Sequence, residues 1–194
     1  MEVRLKYNTD WLLSNMPTDV NNEFLFFWGH NTRSEKVTKA CLSQWWPSRF
    51  SVDGVTYHSA EHWMMVGKAK LFGADDVVRK ILETDDPGNA KSLGREVKEF
   101  DAVIWDESKT GLVIEGNLHK FRQNPSLLRF LRNTRDMILV EASPVDTIWG
   151  AGLAVGHADI YTPSKWRGQN LLGFSLMTVR DLLRTENHEP FPSA

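Results

Sequence analysis

Tyr57-His-Ser-Ala-Glu-His-Trp-Met-Met-Val-Gly-Lys-Ala-Lys-Leu-Phe72 is the stretch that decides how this chain folds. Ser59 stands where a helix N-cap accepts a backbone amide, and Gly73 stands where a helix stops. Glu61 and Lys68 fall nearly two helical turns apart, so both lie on one face, with Met65 between them. By helix rise their Cβ atoms are separated by about 10 Å along the axis, close enough for two long side chains to converge. A carboxylate and an amine framed by Trp, Met and Phe read as a site. The plain alternative is a solvated pair worth about 0–1 kcal/mol.

Upstream, Phe50 to Tyr57 is a hairpin, with Asp53-Gly54 turning between β-branched residues. Phe24-Leu-Phe-Phe-Trp28 is a short apolar run, read as a buried strand. Residues 1 to 23 form a polar, irregular segment, and residues 31 to 40 a surface loop. Downstream, a helix is expected from Ala74 to Glu83, ended by Asp85-Asp86-Pro87-Gly88. Another spans Asn89 to Val97, with Lys91 and Arg95 at i and i+4 on a shared face. A long helix runs from Trp105 to Arg122, interrupted at Gly111 and Gly116, and Pro125 opens a short one through Leu131. Met137 to Glu141 is the second strand. Ser143 to Pro163 is a long Gly- and Pro-bearing loop, of the kind that carries function or moves. Gly168 to Arg184 is a C-terminal helix with an apolar face, and the tail after Glu186 is expected to fray. The expected fold is α+β, a mainly helical single domain with a few short strands. Its parts are an N-terminal polar segment (1–23), the domain (24–184) and a C-terminal tail (185–194).

The chain has 194 residues, 41% of them hydrophobic, enough for one ordinary core. A formal net charge of -2 gives no general pull toward nucleic acid or an anionic membrane. The single cysteine, Cys41, excludes an intramolecular disulfide framework and a multi-cysteine zinc site. No apolar run approaches membrane-spanning length, and Met-Glu-Val-Arg-Leu-Lys-Tyr7 has no apolar signal core. The expectation is a cytoplasmic protein with no membrane partner. Eight Trp is a high count for this length. Each could simply fill the core, but Trp28, Trp149 and Trp166 sit beside Gly or polar residues in loop-like sequence, where they could wall a flat ring.

Four groupings could carry chemistry. Glu61 and Lys68 are the first. His58 and His62 flank Glu61 at metal-ligand spacing, but the Glu precedes the second His rather than following the first, and a hydrogen-bonding role is read for both. Asp146, in Ser143-Pro-Val-Asp-Thr-Ile-Trp-Gly150, is a carboxylate before an aromatic-glycine pair; capping a turn is its common alternative. Trp166-Arg-Gly-Gln-Asn170 opens the last helix, where backbone amides could receive an anion or Gln169 and Asn170 could cap. Lys91, Arg95 and Lys120 are basic groups able to meet a phosphate, or solvated helix faces. Gly168 to Gly173 has P-loop glycine spacing but lacks the Lys-Ser/Thr that binds phosphate and magnesium.

Taken in order, these pieces resemble the NADAR (YbiA-like) family. The matching stretches are Phe26-Phe-Trp28-Gly29, Leu42-Ser-Gln-Trp-Trp-Pro-Ser48, Ser59-Ala-Glu61-His62, Lys68-Ala69, Ala90-Lys91 with Gly94-Arg95, Lys120-Phe121 with Gln123-Asn124, and Glu141-Ala-Ser-Pro-Val-Asp146. Trp149-Gly150 with Gly152-Leu153, and Trp166 with Gly168-Gln-Asn170, complete the series, which covers about residues 24 to 184. One departure is Gln44-Trp45-Trp46, where family members commonly carry Asn-Phe-Tyr. The resemblance implies a compact, mainly helical domain that cleaves N-glycosidic bonds without metal or cofactor. Its substrates would be either the phosphoribosylamino-pyrimidine intermediates of riboflavin synthesis or ADP-ribose on guanine in nucleic acid, the latter in a toxin–antitoxin setting. Cleaving a C1–N bond builds positive charge on the sugar, which Glu61 or Asp146 could stabilise. A desolvated, neutral Lys68 could attack C1 of a ring-opened ribose and form a Schiff base. Substrate binding would fall to Trp28, Gly29, Lys91, Arg95, Lys120, Trp149, Gly150, Trp166 and Asn170. The rival reading is a non-catalytic ADP-ribose or NAD-binding module.

Overall fold

A computed structural model of the chain describes residues 4–16, 23–29 and 36–186. His30 and positions 31–35 of the expected loop lie outside the described residues, as does the tail beyond Glu186. Helices dominate, with two short two-stranded sheets, so the fold is the expected helix-rich α+β class. The chain divides into two compact units: Gly29–Leu127 with the first four residues, and Leu5–Trp28 with Leu128–Ala194. Among the described residues, no helix is long and apolar enough to cross a membrane.

In the first unit, a 3-10 turn at Lys39–Leu42 leads to strands β2 (Phe50–Val52) and β3 (Val55–Tyr57). The pair is antiparallel, with Phe50 opposite Tyr57. Asp53 and Gly54 both take positive φ, 49° and 79°, the geometry that a two-residue hairpin turn needs. Helix α2 (Ala60–Leu71) follows, with the Ser59 hydroxyl accepting from the His62 amide as cap. It packs against α3 (Asp75–Leu82), α4 (Pro87–Leu93) and α5 (Ala102–Gln123), which makes it the centre of this unit.

Two boundaries differ from the sequence expectation. Pro87 and Gly88 do not end a helix; they form the first turn of α4, because Asp86 caps it by accepting from the Asn89 amide. The helix then closes at Leu93, short of Val97. The long helix is also continuous through Gly111 and Gly116. Gly116 serves close packing: a Cβ there would stand 2.3 Å from Cδ1 of Trp63, whose indole N–H donates to the Leu112 carbonyl of the same helix.

In the second unit, the segment expected to be irregular contains helix α1 (Thr9–Ser14), capped by Asn8 and burying Leu12. Strands β1 (Phe24–Phe27) and β4 (Ile138–Glu141) pair in parallel, with Phe24 opposite Ile138 and Phe27 opposite Glu141. Both are apolar runs buried along most of their length. Helix α7 (Leu171–Thr185) lies on β4. The chain enters this last helix from α6 (Pro125–Asn133), through β4 and the loop from 143, which itself holds 3-10 turns at Ala158–Tyr161 and Pro163–Lys165. The final helix starts at Leu171 rather than Gly168, because Asn170 takes a left-handed φ of 52°.

Candidate active site

Within the first unit, the opening helix does present a carboxylate and an amine toward a common neighbour. Glu61 occupies the first turn of α2, where the helix dipole favours negative charge. Its amide donates to the Gln44 carbonyl, and its side chain is 3% exposed. The Lys91 ammonium, from α4, lies 4.0 Å from the Glu61 carboxylate and 5.7 Å from the Trp45 ring centroid. Gln44 therefore has two jobs: its main chain seats Glu61, and its side-chain oxygen accepts from Asn117 at 2.7 Å in the buried interior. The expected Asn at this position is thus replaced by a residue that reaches α5.

Lys68 sits two turns further along. Its amine donates to the Gly94 carbonyl at 2.9 Å, beyond the C-terminus of α4. It also stands 4.5 Å from the Phe100 ring centroid and 5.8 Å from that of Trp105. Burial lowers the Lys68 pKa from the ordinary lysine value, and the nearby Arg95 guanidinium lowers it further. A neutral amine could still donate one hydrogen to Gly94 and would keep a lone pair. Met65 fills the space between: a Cβ on Gly94 would stand 2.3 Å from its sulfur. Glu61, Met65 and Lys68 thus line the side of α2 that faces α4, and Lys91, Gly94 and Arg95 answer from the other side. Sequence reasoning missed Phe100, Trp105 and Trp45 as walls. Phe100 and Trp105 straddle the Asp101 cap of α5, and nothing in local spacing ties them to a lysine on α2.

Lys120 is set apart from Lys91 and Arg95, with which the sequence grouped it. It is fully buried, and its amine donates to the Ser43 carbonyl at 2.8 Å. A phosphate has no surface on which to meet it. Burial brings its pKa down from the lysine value to about 8. His62 is likewise interior: its Nδ1 accepts from the His58 amide, so its Nε2 carries the hydrogen donated to the Ile81 carbonyl. Burial lowers its pKa. Among the described residues no three His, Cys, Asp or Glu side chains gather as a metal site would require. Gly29 takes a positive φ of 76°, with open space around its Cα.

The second unit holds the remaining predicted residues. Asp146 Oδ1 accepts from the amides of Ile148 and Trp149 at 2.9 and 2.7 Å, so one carboxylate oxygen closes a turn and Oδ2 takes no part in it. Gly150 admits the chain between the Glu141 and Asp146 carbonyls, each 2.9 Å from where a Cβ would stand. Trp149 is half-buried and Trp28 is 58% exposed. The Trp166 indole donates to the Ile160 carbonyl and meets Phe24 edge-on. The start of the last helix is not an anion site. The amides of Gln169, Asn170, Leu171 and Leu172 are taken by the carbonyls of Thr147, Gly150, Ile148 and Trp149. Nor does the Asn170 side chain cap that helix: buried, it accepts from the Glu141 amide and donates to the Leu139 carbonyl, tying the helix to β4.

Comparison with known proteins agrees with this architecture. The chain is 42% identical over 171 residues to the N-glycosidase R617 of Acanthamoeba polyphaga mimivirus, covering 86% of this chain and 98% of that one. It is 30% identical over 150 residues to the riboflavin biosynthesis protein VVA0006 of Vibrio vulnificus, covering 77% of this chain but 36% of that longer protein. The fold is shared with the Escherichia coli protein YbiA, whose NMR structure aligns with a TM-score of 0.67 at 24% identity over 87% of this chain and 92% of that one. The family model for the NADAR domain matches residues 26–184, and the chain belongs to the NADAR family.

Proposed function

We propose that the chain is an N-glycosidase that hydrolyses the C1–N bond of a ribosylated nitrogen on a small phosphorylated metabolite of the phosphoribosylamino-pyrimidine class. The observation that carries this reading is the Lys68 amine: half-buried, depressed in pKa, held by the Gly94 carbonyl and walled by Phe100 and Trp105, on the same helix as buried Glu61. An exposed ion pair would need none of this. The reaction begins with the ring-opened form of the N-ribosyl amine, whose C1 is an imine carbon. The Lys68 lone pair forms an Nζ–C1 bond, and the original C1–N bond breaks as the leaving amine takes a proton from a carboxylic acid or water. Water then adds to the lysine Schiff base, releasing the sugar aldehyde and restoring the amine. The net change is one water consumed per C1–N bond cleaved.

Glu61 is the proposed carboxylate of the first unit, moving that proton and offsetting positive charge at C1. Asp146 stays a candidate carboxylate of the second unit, described by its own turn alone. Lys91 and Arg95 are proposed to hold the phosphate. The Vibrio relative's name favours the riboflavin intermediate over ADP-ribosylated guanine, and near-neutral net charge points the same way. A cytoplasmic location is proposed with that substrate.

The test offers the purified protein the phosphoribosylamino-pyrimidine and, in parallel, an ADP-ribosylated guanine oligonucleotide, with released sugar measured by mass spectrometry. Turnover of the pyrimidine is expected. No turnover of either, together with measurable ADP-ribose binding, would make the chain a reader and not an enzyme. Borohydride added during turnover should fix a mass adduct on Lys68. An adduct-free protein, with Lys68→Arg still active, would remove the covalent route.

A further inference from the structure

Deep in the first unit, two carboxamides meet away from solvent. Asn117, on α5, and Gln44, just after the 3-10 turn at Lys39–Leu42, are both buried. Asn117 Nδ2 donates to the Val113 carbonyl at 2.8 Å and to Gln44 Oε1 at 2.7 Å. These two bonds fix which atom is which. A carbonyl oxygen only accepts, so the Asn117 atom facing Val113 must be nitrogen. The Gln44 atom facing that nitrogen must then be oxygen. What is left over is one donor group, Gln44 Nε2, and one acceptor, Asn117 Oδ1, and neither finds a protein partner.

A buried amide atom that gives up solvent without gaining a partner is costly. Here the two unmatched atoms are of opposite kind, and each belongs to a carboxamide that takes part in the same 2.7 Å bond. One water beside that bond can accept from Nε2 and donate to Oδ1, which gives it the polar partners that an interior water needs. The surroundings also give this pair a place in the candidate site. The Gln44 carbonyl accepts from the Glu61 amide at 2.9 Å, and the adjacent Ser43 carbonyl accepts from Lys120, one turn along α5 from Asn117. Ser43 and Gln44 thus form a strut from α5 to the first turn of α2. We infer that one ordered water bridges Gln44 Nε2 and Asn117 Oδ1, and that the strut it braces makes Gln44 and Asn117 positioning residues for Glu61. The positioning role rests on the N-glycosidase reading, in which Glu61 moves a proton; the water does not.

The water is tested on the unaltered protein. A crystal structure of the full chain that resolves ordered solvent should place one water within about 3.2 Å of both atoms. No water there, or the two amides closed directly onto each other, would overturn the site. The positioning role is read from kinetics on the phosphoribosylamino-pyrimidine. Gln44→Met keeps the main-chain carbonyl and most of the side-chain volume but removes the amide, and Asn117→Leu does the same from α5. Each should lower kcat by about tenfold or more with KM unchanged, because a loosened turn misplaces the carboxylate and leaves substrate binding alone. The double variant should be no slower than either single one, since both act through one bridge. Unchanged kinetics, a raised KM at constant kcat, or losses that multiply in the double variant would overturn the positioning role. An unaltered protein that holds the water but turns over nothing would refute the proposed reaction and keep the water site. An active protein without the water would do the reverse.

Discussion

Replacing Lys120 by Met should change how stability depends on pH, by an amount that can be worked out beforehand. The amine is fully buried, and its pKa falls from 10.5 to about 8, chiefly by desolvation, with the Cys41 thiol acting slightly in the other direction. A fall of that size corresponds to about 3 kcal/mol of penalty on the charged folded form. Below pH 8 both folded and unfolded chains carry the proton, and the whole penalty is present. Between pH 8 and the unfolded value the unfolded chain binds more protons, so wild-type stability rises with pH, by about 1.4 kcal/mol per unit at most. Above 10.5 the penalty is gone. Met has nearly the volume of Lys and no charge, so Lys120→Met removes this titration. It also removes the bond to the Ser43 carbonyl, but that oxygen keeps the Trp46 amide, which limits the pH-independent cost to about 1 kcal/mol. Urea denaturation of both proteins at pH 7 and pH 10.5 reads the result. The stability of the variant relative to wild type should fall by about 3 kcal/mol across that interval. Parallel pH profiles would mean that Lys120 folds without a depressed pKa, and the argument for its burial as a bare amine would fail.

Three further outcomes follow from single contacts. Gly116→Ala should lower Tm, because overpacking against Trp63 costs about 1–3 kcal/mol, against about 1 kcal/mol gained in helix propensity; a raised Tm in a thermal scan would show that the ring moves aside freely. His62 is held neutral in the fold, so the unfolded chain binds the proton first, and stability should drop as pH falls below about 6.5; His62→Gln should flatten that limb of the stability profile, and an unchanged limb would assign it to other groups. Asn170→Gly should be more stable than Asn170→Ala by about 1 kcal/mol in chemical denaturation, since both lose the bonds to β4 but only alanine suffers at positive φ; equal stabilities would mean that the left-handed backbone is not retained.

What the sequence made legible was whatever depends on near neighbours. The hairpin was readable because Asp53-Gly54 is a local turn between β-branched residues, and α2 because Ser59 and Gly73 are local start and stop signals. Both strands of the parallel pair were readable as apolar runs, but their pairing was not, because Phe24 and Ile138 are brought together by everything between them. The misplaced boundaries share a cause. Pro87 and Gly88 look like breakers until Asp86 is seen to cap, and Gly116 looks like an interruption until Trp63 fills the place of its missing side chain. In both cases a partner outside the local pattern reverses the local preference.

The same limit shapes the candidate site. Periodicity could put Glu61 and Lys68 on one face, and in the structure the first meets Lys91 and the second the Gly94 carbonyl. It could not say which cations stay at a surface, and burial separates the two kinds of lysine sharply. Lys91 is 40% exposed beside a buried carboxylate, Lys68 is half-buried against aromatic rings, and Lys120 is sealed inside. Their spacing in the sequence is uninformative on this point because exposure is set by what packs over each amine: Phe100 and Trp105 in one case, the Ser43 turn in another. Burial depresses the pKa of both Lys68 and Lys120, and of these two only Lys68 is accessible. A nucleophilic amine needs those two properties together: without the first it is protonated at neutral pH, and without the second no substrate carbon can reach it. Lys120 has the first alone. That is the physical reason for proposing Lys68, and not Lys120, for a covalent step.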